Sequence, residues 1–217
     1  MQLTEVTTPQ LAKDFLRVNV LINKDNPAYI LPLEKDVNEV FDPKKNKAFR
    51  FGEVIRWLLK DDEGKLVGRI AAFVNKKYKN KGDDGPVGGV GFFDCIDDQN
   101  AADMLFDVAK HWLMQKGMEA MDGPINLGDR NMFWGLLIEN YTDPPIYGTN
   151  YNPPYYKDLF DAYGFGLWFN QLFFKRSVEV KAQPIFHRKY AQIQRDPDYK
   201  VRDVRGLSVE RIAEDFR

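Results

Sequence analysis

VGGVGFFDCIDDQNAADMLFDVAKHWLMQKG, residues 87–117, joins a glycine-rich strand pattern to an amphipathic helix pattern, and the join decides the fold. Gly88, Gly89 and Gly91 stand among valines and phenylalanines, so the missing side chains mark a bulge or the close approach of another backbone. Residues 101–116 then set Ala101, Leu105, Val108, Ala109, Trp112 and Leu113 on one helical face, with Asn100 expected as the N-cap and Gly117 as the stop.

Upstream, EVIRWLLKDDEGKLVGRIAAFVN (53–75) reads as two strands about the turn Asp61-Asp62-Glu63-Gly64, and KKYKNKGDDG (76–85) as a lysine-rich loop. Before that come an opening strand, a helix announced by Thr8-Pro9 and carried by Leu11, Phe15, Val18 and Ile22, and a short helix from about Leu33 to Phe41. Downstream, EAMDGPIN (119–126) holds a short strand, and an irregular stretch leads into GTNYNPPYYKDLFDAYGFG (148–166). There Asn152 or Pro153 caps a helix that Gly164 ends. A strand pair is expected in LWFNQLFFKRSVEV (167–180). This order specifies an α/β (α+β) domain, a mixed sheet covered by helices.

At 217 residues and 44% hydrophobic content the chain is long enough for one full domain and the start of another, and it reads as globular and soluble. Lys+Arg number 31 and Asp+Glu 32, a net charge of -1, so neither nucleic acid nor a membrane is the expected partner. MQLTEVTT lacks the basic start and apolar run of a signal peptide, and a cytoplasmic location is expected. Cys95 is the single cysteine and the two histidines, His111 and His187, are isolated, so no metal site is expected.

The segments DPKKNKAFRFGEV, VGRIAAFVN, GFFDCIDD, GPIN and YNPPYYKDLFDAYGF resemble a bacterial branch of the GNAT acyltransferase superfamily, over roughly residues 1 to 180. The resemblance implies a mostly antiparallel central sheet with helices on both faces. It also implies transfer of an acyl group from acetyl-CoA or another acyl-CoA to a small-molecule amine. The thioester would lie in an opening between the glycine-rich strand and the strand after the long helix. The pyrophosphate would meet backbone amides around Ile96, Asn100, Ala101 and Ala102 at a helix N-terminus. The chain departs from that pattern here, since Asp97-Asp98-Gln99-Asn100-Ala101 has no glycine and two carboxylates, which either repel a pyrophosphate or cap the helix.

The superfamily's leaving-group tyrosine, four residues before the terminal Gly-Phe, falls on Phe160. Tyr155, Tyr156 and Tyr163 are the hydroxyls left nearby, although Tyr156, Leu159, Phe160 and Tyr163 share a helical face and also read as core. Asp94, between the apolar Phe93 and Cys95, reads equally as a base facing the opening or as a strand-end carboxylate. Asp94, Tyr155, Asn126 and Asn131 are thus the catalytic candidates, and Asp129, Arg130, Trp134, Tyr151 and Asn152 the candidate substrate rim. Where the branch carries an acidic pair after the asparagine matching Asn131, this chain has Met132-Phe133. Two functions remain open: an N-acyltransferase, or a catalytically silent GNAT-like module for binding or assembly.

Finally, residues 181–198 read as a polar connector, and VRDVRGLSVERIAEDFR (201–217) repeats the opening strand-to-helix pattern. Leu11-Ala12-Lys13-Asp14-Phe15 matches Ile212-Ala213-Glu214-Asp215-Phe216 in character. Residues 199–217 are therefore expected to begin a second, truncated GNAT-like module, a partner in the same chain for a domain spanning 1–180.

Overall fold

A computed structural model describes residues 1–78, 84–200 and 203–215. Contacts divide the chain into two compact units, Met1–Asn170 and Gln171–Arg217.

The first unit is built on a five-stranded sheet in the order β1 (Gln2–Glu5), β2 (Gly52–Lys60), β3 (Leu66–Asn75), β4 (Val87–Cys95) and β5 (Ala120–Asp122). The first four strands run antiparallel and β5 pairs parallel with β4, the mixed, mostly antiparallel sheet that the superfamily resemblance implies. Sequential antiparallel pairing needs only short links, and β2 and β3 are joined by the expected turn, with Gly64 at φ +80°.

Helices cover both faces. Helix α1 (Pro9–Asn23) starts at Thr8, whose hydroxyl accepts the Leu11 N–H at 3.2 Å. It buries Phe15 and Val18 with Leu58, Ala71, Phe73 and Phe92, beside Val37 of α2 (Glu34–Val40). A 3-10 turn, Lys47–Arg50, leads from α2 towards β2. On the opposite face α3 (Gln99–Gln115) and α4 (Tyr156–Tyr163) pack Leu105, Phe106, Ala109 and Phe160 against Ile70, Ala72 and Phe93. Alternation along β3 separates these two cores, since Ile70 and Ala72 face α3 while Ala71 and Phe73 face α1.

Three local expectations are corrected. Asp98, not Asn100, caps α3, because its carboxylate one residue before the helix accepts the Ala101 N–H at 3.1 Å. Neither Asn152 nor Pro153 caps α4, whose N-cap Tyr155 makes no side-chain capping bond, and Asn152 instead bonds the backbone of Leu137. No strand forms between residues 167 and 180. Alternation alone does not make a strand, which needs a paired edge, and in the first unit the sheet ends at the three-residue β5.

The second unit contains α5 (Pro184–Arg195) and α6 (Val209–Asp215), with no buried residue in either. The expected repeat at 201–217 falls partly outside the described residues, since Val201, Arg202, Phe216 and Arg217 are not among them.

Candidate functional site

The glycine-rich strand sets the site in two ways. Gly68, Arg69 and Ala71 of β3 pair with Cys95, Asp94 and Gly91, so β4 carries one extra residue, a bulge with Phe92 at φ +49°. The bulge leaves Asp94 directly opposite Arg69 on the α1 side. At Gly91 the chain leaving β5 crosses β4 so closely that a Cβ would lie 1.8 Å from the Ile125 carbonyl oxygen, the close approach that the missing side chains announce.

Asp94 is almost wholly buried and every direction around it is occupied. Its Oδ2 accepts Arg69 Nε at 2.6 Å and Asn19 Nδ2 at 3.0 Å. Its Oδ1 accepts the same Asn19 amide at 3.1 Å and the Tyr156 hydroxyl at 3.1 Å. Arg69 also donates to the Phe15 carbonyl at 2.8 Å, and Tyr29 donates to Asn19 Oδ1 at 2.7 Å. One network thereby ties α1, the loop after it, β3, β4 and α4. Burial raises the Asp94 carboxyl above its usual range, opposed by the Arg69 guanidinium and the Asn19 and Tyr156 bonds. Burial, reinforced by Asp94, pushes the Tyr29 hydroxyl up to about 12. With its acceptor sites filled, Asp94 is a fixed anchor, not a base with a free lone pair.

A cavity opens beside this network, lined by Asn19, Tyr29, Arg69, Asp94, Phe133 and the Thr149–Asn152 segment among others. Of the expected residues it gathers Asp94, Tyr151 and Asn152. Tyr151 is buried and donates to the Tyr141 carbonyl at 2.9 Å. A second hollow, lined by Phe73, Asn75, Tyr78, Ile125, Asn126 and Trp134, holds two more expected residues. There Asn126 Nδ2 donates to the carbonyls of Asp129 and Met132, while Asn126 Oδ1 and Trp134 Nε1 are buried without a partner. Asp129, Arg130 and Asn131 lie on an exposed turn, where Asp129 Oδ1 accepts the Asn131 N–H at 2.8 Å and the Arg130 guanidinium sits 5.4 Å from the Trp134 ring. The expected rim is therefore split over three places.

The end of β4 is closed. The Cys95 N–H donates to the Tyr156 hydroxyl oxygen at 2.9 Å, and the Tyr155 hydroxyl donates to the Cys95 carbonyl at 2.7 Å, so two side chains occupy the backbone positions that an extended ligand would use. Phe160 packs edge-on against Phe93 and Phe106, at centroid distances of 5.1 and 4.8 Å. At the start of α3 the Ala101 N–H is taken by Asp98, the Ala102 N–H bonds the Asp98 carbonyl at 3.1 Å, and the Ile96 N–H bonds Val67 at 3.0 Å. Ala101 and Ala102 are fully buried, and of the four residues expected at a pyrophosphate only Asn100 is exposed. Three of the four amides expected at a pyrophosphate, those of Ile96, Ala101 and Ala102, are therefore already bonded within the chain.

Cys95 is wholly buried, and burial, with Asp98, Asp94 and Asp97 adding to it, pushes its thiol up to about 12. A thiol-specific disulfide reagent at pH 8 is expected to find no reactive group in the folded chain and one per chain after denaturation. Rapid reaction under native conditions would show that the end of β4 opens.

Asn19, Tyr29 and Arg69 were not among the candidates from sequence, and Tyr156 entered only as one of three nearby hydroxyls. Two carried a signal. Arg69 interrupts an otherwise apolar strand, and Asn19 lies four residues after Phe15 on the apolar stripe of α1; a buried polar group in either place requires a partner.

No family model matches the chain. Over 203 residues, 93% of its length, it is 28% identical to bacterial ceramide synthase of Caulobacter vibrioides (strain NA1000 / CB15N), of which it covers 49%. It is 27% identical over 231 aligned positions to protein YghO of Escherichia coli (strain K12), covering 56% of that protein. The chain spans about half the length of these curated relatives. Among solved structures, an aminoglycoside 6'-N-acetyltransferase from Acinetobacter haemolyticus superposes with a TM-score of 0.49 at 14% identity, over 82% of this chain and all of that one. A second, from Acinetobacter baumannii, gives 0.46 at 13% identity, over 82% of this chain and 99% of that one. Among the described residues no helix is long and apolar enough to cross a membrane, and no three His, Cys, Asp or Glu side chains gather where they would hold a metal ion.

Proposed function

We propose that this chain is one module of a longer GNAT-type N-acyltransferase that joins an acyl group from an acyl-CoA to the amine of a long-chain amphiphile. In this reading the chain builds the acceptor side, and the CoA is held by the remainder of the longer protein. The observation that carries the division is the closed end of β4, where the Tyr155 and Tyr156 hydroxyls hold Cys95 and Asp98 consumes an α3 amide. The length of the relatives supports a second part, and ceramide, an amide of a long-chain amino alcohol, supplies the acceptor class. The cavity beside Asp94 has aromatic walls, with Tyr29, Phe92, Phe133 and Tyr151 among its lining. A catalytically silent role for this module inside an active protein is the same reading. An isolated enzyme is the competing one.

Calorimetric titration of the chain with acetyl-CoA, palmitoyl-CoA and free CoA separates the two. No binding heat is expected up to ligand concentrations of about 1 mM, a ceiling of roughly 4 kcal/mol in affinity. Micromolar binding of any of the three would place the cofactor in this module and overturn the division.

A further inference from the structure

The near-zero net charge conceals a local excess. Residues 171–195 hold six lysines and arginines, Lys175, Arg176, Lys181, Arg188, Lys189 and Arg195, against the single acid Glu179. The same stretch turns large apolar side chains to solvent. Phe174 is 90% and Val178 100% exposed, and on α5 Phe186, Tyr190 and Ile193 are exposed at spacings of four and three residues, which makes one stripe. Arg188 and Arg195, seven residues apart, share the opposite side of that helix. Lys189 flanks the stripe with a stem long enough to carry its ammonium away from apolar surroundings.

We infer that residues 171–195 form an interfacial membrane-binding surface that seats on an anionic bilayer. The apolar stripe of α5 enters the boundary between headgroups and acyl chains, Lys189 beside it meets lipid phosphates, and the other cations add long-range attraction to the anionic surface. A neutral protein partner would account for the stripe but not for six cations with one acid, and a nucleic acid would account for the cations but not for the stripe. A long-chain amine resides in membranes, so the surface agrees with the proposed acceptor. The inference nevertheless stands on the charge and apolar exposure of this unit alone.

Vesicle flotation at about 0.1 M salt tests it, with phosphatidylcholine vesicles prepared with and without phosphatidylglycerol. No acyl-CoA or amine is present, so this outcome is independent of the calorimetry above. The chain is expected to float with the anionic vesicles and not with the neutral ones. Each lysine or arginine near an anionic surface contributes roughly fivefold, so Arg188→Glu/Lys189→Glu is expected to weaken binding at least about 20-fold. Phe186→Ser/Tyr190→Ser is expected to weaken it as well. All four side chains are exposed, so the far-ultraviolet circular dichroism of both variants should match the parent. The inference is overturned by equal partition into both vesicle types, by no flotation, or by undiminished flotation of the charge variant. It is also overturned if the chain self-associates in sedimentation velocity and Phe186→Ser/Tyr190→Ser makes it monomeric, which would assign the stripe to a second copy.

Discussion

Arg69→Met is expected to lower the unfolding free energy by about 3–5 kcal/mol, the range for removing one partner of a buried ion pair. Asp94 and Arg69 are 2% and 5% exposed and meet at 2.6 Å, so the methionine would leave a nearly buried carboxylate with no counter-charge. Asn19 and Tyr156 would still donate to it, but neutral donors do not replace a guanidinium at this depth. The Phe15 carbonyl would lose its side-chain donor as well. The double variant Arg69→Met/Asp94→Leu removes both charges and is expected to recover part of the loss, because apolar replacement of a whole buried pair is often nearly neutral. Urea midpoints with constant slope measure both. A cost below about 1 kcal/mol for Arg69→Met would mean that the pair behaves as a solvated surface bridge, and the description of Asp94 as a clamped anchor would fail.

Gly91→Ala should cost more than the ~1–3 kcal/mol usual for overpacking. The new Cβ would lie 1.8 Å from the Ile125 oxygen and 2.9 Å from its carbonyl carbon, and both are backbone atoms that no rotamer change can move. The segment crossing β4 would have to lift, taking with it the Ile125 N–H bond to the Val90 carbonyl at 2.8 Å and the packing of Ile125 and Leu127. Gly64→Ala is the fitting control. Its φ of +80° makes alanine strained, but no atom lies within 4 Å of the added Cβ, so the cost should stay near the ~1–2 kcal/mol of a left-handed residue. Thermal melts of the two variants would decide the matter, and equal shifts would show that the crossing is loosely packed.

The strands, the long helix and the close approach at the glycine-rich strand were legible because each rests on local pattern. Gly88, Gly89 and Gly91 could signal a near backbone without showing whose it was; Ile125, over thirty residues away, answers that only in three dimensions. The strand pair expected at 167–180 illustrates the opposite case. LWFNQLFFK has the composition of a strand, but strand formation depends on an edge to pair with, which composition does not encode. The site was legible in part. Asp94, Tyr151 and Asn152 share a cavity, whereas Asn126 and Trp134 line another hollow and Asp129, Arg130 and Asn131 stay on an exposed turn. Hydrogen bonding disperses them, with Asn126 and Asn152 spent on neighbouring carbonyls, and sequence spacing does not report such partnerships. Arg69 was the overlooked clue, since a charge inside an apolar strand is expensive unless another chain segment answers it. Net charge hides local pattern in a similar way, because the sum over the chain cancels the cationic stretch 171–195.

The tyrosine pair at the end of β4 also bears on how the sheet can be extended. Along this side Val87 to Gly89 are covered by β5, the Val90 carbonyl is bonded by Ile125, and the Cys95 amide and carbonyl are held by Tyr156 and Tyr155. A strand pairing with β4 itself would have to displace each of these in turn, so β4 is sealed against strand addition. The opposite border, four residues of β1, has no neighbour in the sheet. If another polypeptide segment continues this sheet, it would start at β1 or on the outer edge of the shorter β5.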